Sequence, residues 1–380
     1  MIYFKWFFKF ITIPFNLTIW NIVKLIPRNK EIIVYGSWFG EKVSDNSWFL
    51  FIYGSENYPN LQHYFITKDK TKVNGKNILH RNSLKAILKC LTANYSIISS
   101  GKRDLIPLAV NGSIIINVWH GSPIKKICQS DNKSFKPKFE KFKKRWLPHI
   151  YEYDFNYIIS ASKEFDEILM NAFNITNEQI IKSGFPRNNV YYSTQMSNVV
   201  RQIKLEFPNS KTLFYLPTFR TKYDFNPFDD FQFEFSAFNE FLIQNNFVFI
   251  YNFHFASKEN NSIRNERILN VKDLGIDDIS LLLNDIDLLI TDYSSVIFDF
   301  LISRKPIILA PFDLDKYMKF ERELNFNYND FSNLPKVFNW SELMKVISKV
   351  EFNEKTNEKR YVSYSNKNSS KNIYNFLFKL

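Results

Sequence analysis

Residues 288–299 have the sequence LLITDYSSVIFD, in which one apolar run passes through Asp-Tyr-Ser-Ser into another. Residues 287–291 predict a buried strand, and residues 295–302 predict a helix that follows it at once. This order places the hydroxyls of Ser294 and Ser295 and the unpaired N–H groups of a helix start at the carboxyl edge of a sheet. Such an edge suits an anion, for example a pyrophosphate. An ordinary helix N-cap explains the same residues equally simply.

Short apolar runs alternate with amphipathic stretches on both sides of this segment. Strands are predicted at residues 32–36, 61–67, 95–99, 114–119, 156–160, 180–184, 213–216, 247–251, 287–291 and 306–310, and helices at residues 85–91, 164–173, 237–244, 279–283 and 295–302. This alternation is typical of parallel sheets with helices on their faces. We interpret the polar residues 198–210 as a linker between two alternating sets. The sequence therefore predicts an α/β protein with two Rossmann-like lobes that face a cleft.

The 380-residue length suits two domains. We expect a membrane-interface segment at residues 1–27, a first lobe at 28–197 and a second at 198–380. The 50 Lys and Arg residues exceed the 38 Asp and Glu residues, and the net charge of +12 favours anionic lipid, phosphate-bearing substrates or nucleic acid as partners. The two cysteines, Cys90 and Cys128, lie too far apart in sequence for a thiolate metal motif, which fits a reducing cytosol.

The first 27 residues are rich in Phe, Trp and Ile, but lysines interrupt them. The uncharged part, residues 10–23, is shorter than the roughly 20 residues that span a bilayer. We interpret residues 1–27 as lying in the membrane interface, with a helix docked on the protein core as the alternative. The basic, aromatic residues 130–148 are either a second membrane-facing patch or a solvated helix, and they are the one candidate for nucleic-acid binding.

Two histidines follow predicted strands in opposite halves of the chain. His120 lies in Trp-His-Gly-Ser-Pro-Ile-Lys-Lys, residues 119–126, and His254 ends Tyr-Asn-Phe-His, residues 251–254. A histidine can take a proton from an attacking hydroxyl near neutral pH, and Gly121 lets a substrate approach closely. A single histidine is more often a core residue, so each motif alone is a weak indication.

Two arginines lie at comparable strand ends. Arg187 lies in Gly-Phe-Pro-Arg-Asn, residues 184–188, and Arg220 ends Leu-Pro-Thr-Phe-Arg, residues 216–220. Guanidinium groups in such positions suit phosphate recognition, although surface ion pairs are the alternative. Asp299 lies one helical turn after the Ser-Ser pair, where it can accept hydrogen bonds from a ligand hydroxyl.

Taken together and in this order, the motifs resemble those of the CDP-glycerol glycerophosphotransferases of teichoic-acid and capsule synthesis. The resemblance also includes Arg-Lys-Pro-Ile-Ile-Leu-Ala-Pro-Phe-Asp-Leu-Asp-Lys-Tyr at residues 304–317, and it extends from about residue 32 to residue 317. It implies a GT-B fold and a peripheral enzyme on the cytoplasmic face of the cell membrane. It also implies transfer of glycerol phosphate from CDP-glycerol to a lipid-linked saccharide acceptor, with release of CMP.

The same resemblance implies a role for each matched residue. His120 is the expected catalytic base, and His254 a second catalytic or phosphate-stabilising group. The implied donor-binding residues are Gly121, Ser122, Pro123, Ile124, Arg187, Thr218, Arg220, Asn252, Phe253, Ser294, Ser295 and Asp299. The family usually has Thr at the position of Ser122 and a different pair before the second histidine, which leaves the donor's polyol open.

Other functions remain alternatives at this point. A transferase that uses CDP-ribitol or another CDP-polyol, or a glycosyltransferase that uses an ordinary nucleotide sugar, has the same fold. A non-catalytic basic protein that binds membranes does not need paired strand-end histidines. Asp285-Ile286-Asp287 has metal-binding spacing but opens a buried strand, so we expect no metal and no cofactor. We expect no nucleic-acid partner, and the chain length favours addition of a single unit.

Overall fold

A computed structural model describes residues 13–133, 135–192, 196–253, 263, 265–276 and 278–380. Within these residues the chain forms two sheets in which every strand pair is parallel. The first sheet consists of β1 (Asn29–Tyr35), β2 (Gln62–Thr67), β3 (Ile78–His80), β4 (Ala93–Ile98), β5 (Ile114–Asn117), β6 (Tyr157–Ser160) and β7 (Ile180–Lys182). The second consists of β8 (Lys211–Leu216), β9 (Phe247–Tyr251), β10 (Ile268–Asn270), β11 (Leu288–Thr291) and β12 (Ile307–Leu309).

The strand order in each sheet reverses at one strand. The first sheet has the order β3-β2-β1-β4-β5-β6-β7, and the second has the order β10-β9-β8-β11-β12. In the first sheet, β2 and β3 therefore lie on one side of β1 and the later strands on the other. In the second sheet, β9 and β10 lie on one side of β8, and β11 and β12 lie on the other. Loops that leave the carboxyl ends of neighbouring strands diverge at such a reversal, which opens a crevice. The predicted pair of Rossmann-like lobes is confirmed.

Both faces of the second sheet are buried, which explains its continuous apolar runs. Phe214 and Leu216 of β8 belong to one core cluster, whereas Leu213 and Tyr215 belong to the other. Each predicted strand forms. The prediction missed β3 and β10, which are three-residue strands at the sheet edges and too short to show a pattern.

Twelve helices lie between or beside these strands in the described part of the chain. They are Ile13–Val23, Asp45–Asn57, Leu84–Thr92, Pro137–Trp146, Lys163–Phe173, Asn198–Glu206, Phe235–Gln244, Ser280–Leu283, Val296–Phe300, Leu314–Phe320, Trp340–Ile347 and Ser369–Leu377. The interpretation of residues 198–210 as a linker was wrong, because Asn198–Glu206 is helical. The Ser197 hydroxyl caps this helix by accepting the Val200 N–H at 3.2 Å, and Val200 and Ile203 are buried beneath it.

The two lobes are joined next to the His120 motif. Lys126 N donates to Glu323 O at 2.7 Å, and Asn325 N donates to Ile124 O at 2.8 Å. The Asn325 side-chain amide also donates to the carbonyl oxygens of Pro123 and Lys125, at 2.8 and 2.9 Å. These bonds hold the segment after His120 against the second lobe.

The C-terminal helix packs on the first lobe, although residues 198–380 were assigned to the second. Tyr374 stacks on Tyr58 with ring centroids 4.5 Å apart, and the Tyr95 hydroxyl donates to Leu377 O at 3.0 Å. The chain therefore crosses from the second lobe back to the first near its end.

The first described helix, Ile13–Val23, is docked on the first lobe through one face. Trp20 and Val23 are buried, and the Lys102 ammonium lies 4.6 Å from the centre of the Trp20 ring. Phe15 and Leu25, by contrast, are 67% and 82% exposed. No helix in the described ranges is both long and apolar enough to cross a membrane. Residues 1–12 of the predicted interface segment lie outside the described residues.

Candidate functional site

A cleft of about 510 Å³ lies where the two lobes meet at the carboxyl ends of their strands. Both lobes contribute to its wall, as the predicted architecture requires. Most residues that the motifs singled out line it: His120, Gly121, Ser122, Pro123, Ile124, Thr218, Asn252, Ser294 and Ser295. Arg187, Arg220, Phe253 and Asp299 lie elsewhere, and His254 lies outside the described residues.

His120 is held in one tautomer. Its Nδ1 lies 3.0 Å from the carbonyl oxygen of Ser99, and because a carbonyl only accepts, Nδ1 carries the proton. Nε2 then keeps its lone pair. Trp119 stacks on the imidazole at 4.2 Å, and Trp38 contacts it at 5.4 Å between ring centroids. Burial lowers the pKa of His120, although the charge of Asp45 and the bond to Ser99 raise it. The ring is therefore neutral near pH 7 and able to accept a proton.

Asp104 fixes the backbone that carries the Ser99 carbonyl, and it was not among the predicted site residues. Its carboxylate accepts the N–H groups of Ser99 and Ser100 at 2.7 Å each, and of Phe39 at 2.6 Å. The loop that supplies the Ser99 carbonyl is thereby fixed to the loop after β1. Burial raises the pKa of Asp104 to about 6, although these backbone hydrogen bonds lower it.

Gly121 lets the loop after β5 touch the start of the helix Val296–Phe300. Its φ is +138°, and a Cβ at this position would lie 2.9 Å from Ser295 Oγ and 3.1 Å from Arg187 Nη2. The Ser294 hydroxyl accepts the N–H of Val296 at 3.3 Å, so it also serves as an ordinary cap. The pyrophosphate site at this pair of serines stays a prediction.

Lys125 lines the cleft and was not among the predicted site residues. Its ammonium lies 5.7 Å from the centre of the Tyr317 ring. No carboxylate oxygen of the described residues lies within ion-pairing distance of it. Burial lowers the pKa of Lys125 to about 8, an effect that Asp292 opposes and Arg220 strengthens. An ammonium without a direct counter-ion from the described residues attracts anions to this part of the cleft.

Two hydroxyls in the cleft wall also lack partners. Ser122 Oγ and Thr218 Oγ1 are buried and make no hydrogen bond to any described residue. Buried hydroxyls in proteins are normally hydrogen-bonded. Their predicted contact with the donor stays a prediction.

Arg187 connects the two lobes through carboxylates. Its Nη1 lies 2.8 Å from Asp45 in the first lobe, and its Nη2 lies 2.5 Å from Asp299 in the second. Nη1 also donates to the carbonyl oxygen of His120 at 3.1 Å. The backbone N–H of Arg187 donates to Asn46, whose side-chain amide donates to the carbonyl oxygens of Val118 and Trp119 at 3.1 and 2.9 Å. The guanidinium thus holds the loop of His120 in place, and its predicted contact with phosphate stays a prediction.

Arg220 is buried beneath the second-lobe wall of the cleft. It binds Asp313 with two nitrogens, at 2.9 and 2.6 Å, and Asp292 at 2.8 Å. This network positions the loop after β8, since Asp292 also accepts the Thr218 N–H at 2.8 Å. Phe253 packs on Tyr251 and Phe228, with ring centroids 5.2 and 5.4 Å away. Neither residue faces the cleft wall described above, and their predicted donor contacts remain predictions.

Comparison with known proteins extends these observations. A model of the family described as CDP-glycerol:poly(glycerophosphate) glycerophosphotransferase matches residues 19–379. The chain is 28% identical over 351 residues to a teichoic acid poly(glycerol phosphate) polymerase of Bacillus spizizenii, covering 88% of this chain and 87% of that protein. It is 25% identical over 359 residues to a teichoic acid glycerol-phosphate transferase of Staphylococcus aureus, covering 88% of each.

A solved structure of the wall teichoic acid polymerase TagF has the same fold. It superposes with a TM-score of 0.76 at 23% identity, covering 98% of this chain and 95% of that chain. This similarity confirms the predicted α/β, GT-B-type architecture, and the family match covers both lobes and the cleft between them. The chain belongs to the CDP-glycerol:poly(glycerophosphate) glycerophosphotransferase family.

Proposed function

We propose that this chain transfers glycerol phosphate from CDP-glycerol to a hydroxyl of a lipid-linked precursor in teichoic-acid or capsule synthesis, and that CMP is released. The observation that carries the proposal is the tautomer of His120, whose unprotonated Nε2 belongs to a ring that lines the interlobe cleft. Membership of the family and the activities in its relatives' names support the donor and the polymer.

The reaction follows from the groups around the cleft. The acceptor hydroxyl loses its proton to Nε2 of His120 as its oxygen attacks the phosphorus that carries glycerol. The bond from that phosphorus to the bridging oxygen breaks, and CMP leaves with the bonding electrons. Positive charge on Lys125 stabilises the negative charge that develops on the phosphate oxygens. The Ser122 and Thr218 hydroxyls donate to the bound diphosphate.

The proposed location is the cytoplasmic face of the cell membrane. Phe15, Ile22 and Leu25 leave an apolar surface on and just after the first described helix. The basic helix Pro137–Trp146 exposes Phe139 and Trp146 among its lysines. Apolar side chains flanked by cations suit an anionic bilayer surface.

Donor competition tests the identity of the polyol. Purified protein in anionic vesicles is given a lipid-linked disaccharide and radiolabelled CDP-glycerol, with unlabelled CDP-glycerol, CDP-ribitol or UDP-glucose as competitor. We expect label on the lipid and competition by CDP-glycerol at the lowest concentration. Stronger competition by CDP-ribitol would assign the other polyol, and competition by UDP-glucose alone would assign a glycosyltransferase.

A further inference from the structure

Two aromatic residues after β1, Trp38 and Phe39, here called the aromatic step, lie at the carboxyl edge of the first sheet. Trp38 lines the cleft, and its ring contacts that of His120. The two side chains are 36% and 38% exposed, so the hydrophobic core does not account for them. The mechanism above assigns them no role.

The backbone of the aromatic step is held in an unfavourable conformation. Trp38 has a φ of +46° and Phe39 a φ of +57°, in the left-handed region that bulky side chains avoid. Asp104 keeps it there by accepting the Phe39 N–H, and Lys68 N donates to Gly40 O at 2.7 Å. Glycine or asparagine adopts this backbone more easily. Bulky residues that persist in such a conformation beside an active site indicate a use for the rings themselves.

The aromatic step also lies between the first helix and the catalytic base. Lys102 contacts Trp20 of that helix, and the next residue, Arg103, has its guanidinium carbon 4.6 Å from the centre of the Phe39 ring. Trp38 then contacts His120. Contacts and adjacent residues therefore connect the buried face of the first helix to the imidazole of His120.

We infer that the aromatic step binds a sugar ring of the acceptor, so that the hydroxyl to be phosphorylated reaches His120. The C–H groups of a saccharide are attracted to the electron-rich faces of Trp and Phe rings. Arg103, although it also pairs with Glu152, adds positive charge beside the ring for the phosphate of a lipid-linked acceptor. The inference rests on the proposed function, since it assigns the acceptor side of the same site.

The test compares Phe39→Asn with Phe39→Tyr. Asparagine tolerates the positive φ, so it removes the ring without adding backbone strain, whereas tyrosine keeps the ring. Phe338→Asn, which removes an exposed ring from the second lobe, is the control. Binding of a short-chain, water-soluble lipid-linked disaccharide is measured by calorimetry without any donor, and KM is measured separately for acceptor and CDP-glycerol.

We expect Phe39→Asn to weaken saccharide binding and raise the acceptor KM by roughly tenfold, while Phe39→Tyr and Phe338→Asn change both by less than about threefold. Equal binding by Phe39→Asn and the unaltered protein would overturn the inference. It would also be overturned if Phe39→Asn reduced only association with anionic vesicles. Because calorimetry needs no turnover, the inference and the proposed reaction can fail separately.

Discussion

The Nδ1–H group of His120 donates to the carbonyl oxygen of Ser99 at 3.0 Å, and this bond determines which ring nitrogen keeps a lone pair. Burial lowers the pKa of the same ring. Both effects favour the neutral imidazole with an unprotonated Nε2, which is the form that a general base requires. The site therefore places a neutral imidazole in the first lobe and the serine pair in the second.

The pH dependence of kcat/KM follows from two groups of the free enzyme. His120 must be neutral, and because its pKa is lowered, activity should rise with pH through a midpoint below the ordinary value of about 6.5. Lys125 must be charged, and its pKa of about 8 places a decline near that pH. We expect a bell-shaped profile with its plateau near pH 7. A rising midpoint above pH 7 would contradict the role of His120.

Replacement of Lys125 tests the anion site directly. Lys125→Met should lower kcat/KM for CDP-glycerol by about 10²-fold, the effect of losing one group that stabilises developing charge. Lys125→Arg should restore part of the activity and move the alkaline decline upward, since arginine stays charged. The neighbouring Lys126 pairs with the partly exposed Glu323 at 2.6 Å, so Lys126→Met is a matched control with a change below about threefold. Equal losses of kcat/KM in the two Met variants would contradict the proposed role of Lys125 in binding the anion.

Asp104→Asn should reduce kcat more than its effect on folding explains. The amide NH2 replaces one acceptor oxygen and faces backbone N–H groups, which should lower the free energy of unfolding by about 1–3 kcal/mol. The Ser99 carbonyl then loses its fixed position, so the Nδ1–H tautomer of His120 should become less dominant in ¹⁵N spectra of the imidazole.

Asp287→Asn provides the comparison for Asp104. Asp287 accepts the Thr212 N–H at 2.8 Å and pairs with Lys204 at 2.9 Å, at the strand starts opposite the cleft. The Asp287→Asn variant should lose a similar amount of its free energy of unfolding but keep an unchanged kcat per folded molecule. If both Asn variants keep kcat and the tautomer, Asp104 serves folding alone.

Gly121→Ala should impair the site through contact across the lobes. A methyl group there meets Ser295 Oγ at 2.9 Å, and the φ of +138° adds backbone strain. We expect activity to fall at least about tenfold, because the loop that carries His120 must shift. Gly75→Ala is the control. Gly75 has a φ of +69° and no described atom within 4 Å of an added Cβ, so this substitution adds backbone strain without a close contact. Comparable activity of Gly121→Ala and Gly75→Ala in a turnover assay would show that the close approach does not matter.

The fold was largely predictable because buried parallel strands have continuous apolar runs with turn residues at their ends. The linker interpretation of residues 198–210 failed because polar residues outnumber the buried positions of that helix, Val200 and Ile203. The position of the cleft residues could also be predicted from the sequence, since the carboxyl ends of parallel strands meet at one edge of a sheet.

The supports of the site were not predictable, since they depend on contacts between distant parts of the chain. Besides the N–H groups of the nearby Ser99 and Ser100, Asp104 accepts that of Phe39, 65 residues earlier. Lys125 and Lys126 are adjacent lysines that the sequence does not distinguish. Their backbone pairs with residues 323–325, and in this arrangement Lys125 lines the cleft whereas Lys126 pairs with Glu323. For the same reason Arg187 and Arg220, predicted to contact phosphate, were found paired with carboxylates that lie far away in sequence.

The most direct test is CMP release by the purified protein in anionic vesicles with CDP-glycerol and a lipid-linked disaccharide. His120→Ala is compared with His80→Ala, which removes a histidine outside the cleft. We expect acceptor-dependent CMP release by the unaltered protein and by His80→Ala, and a loss of about 10²–10⁴-fold in His120→Ala. Release that persists undiminished in His120→Ala would contradict the assignment of the base, and no release with any acceptor would contradict the proposed reaction.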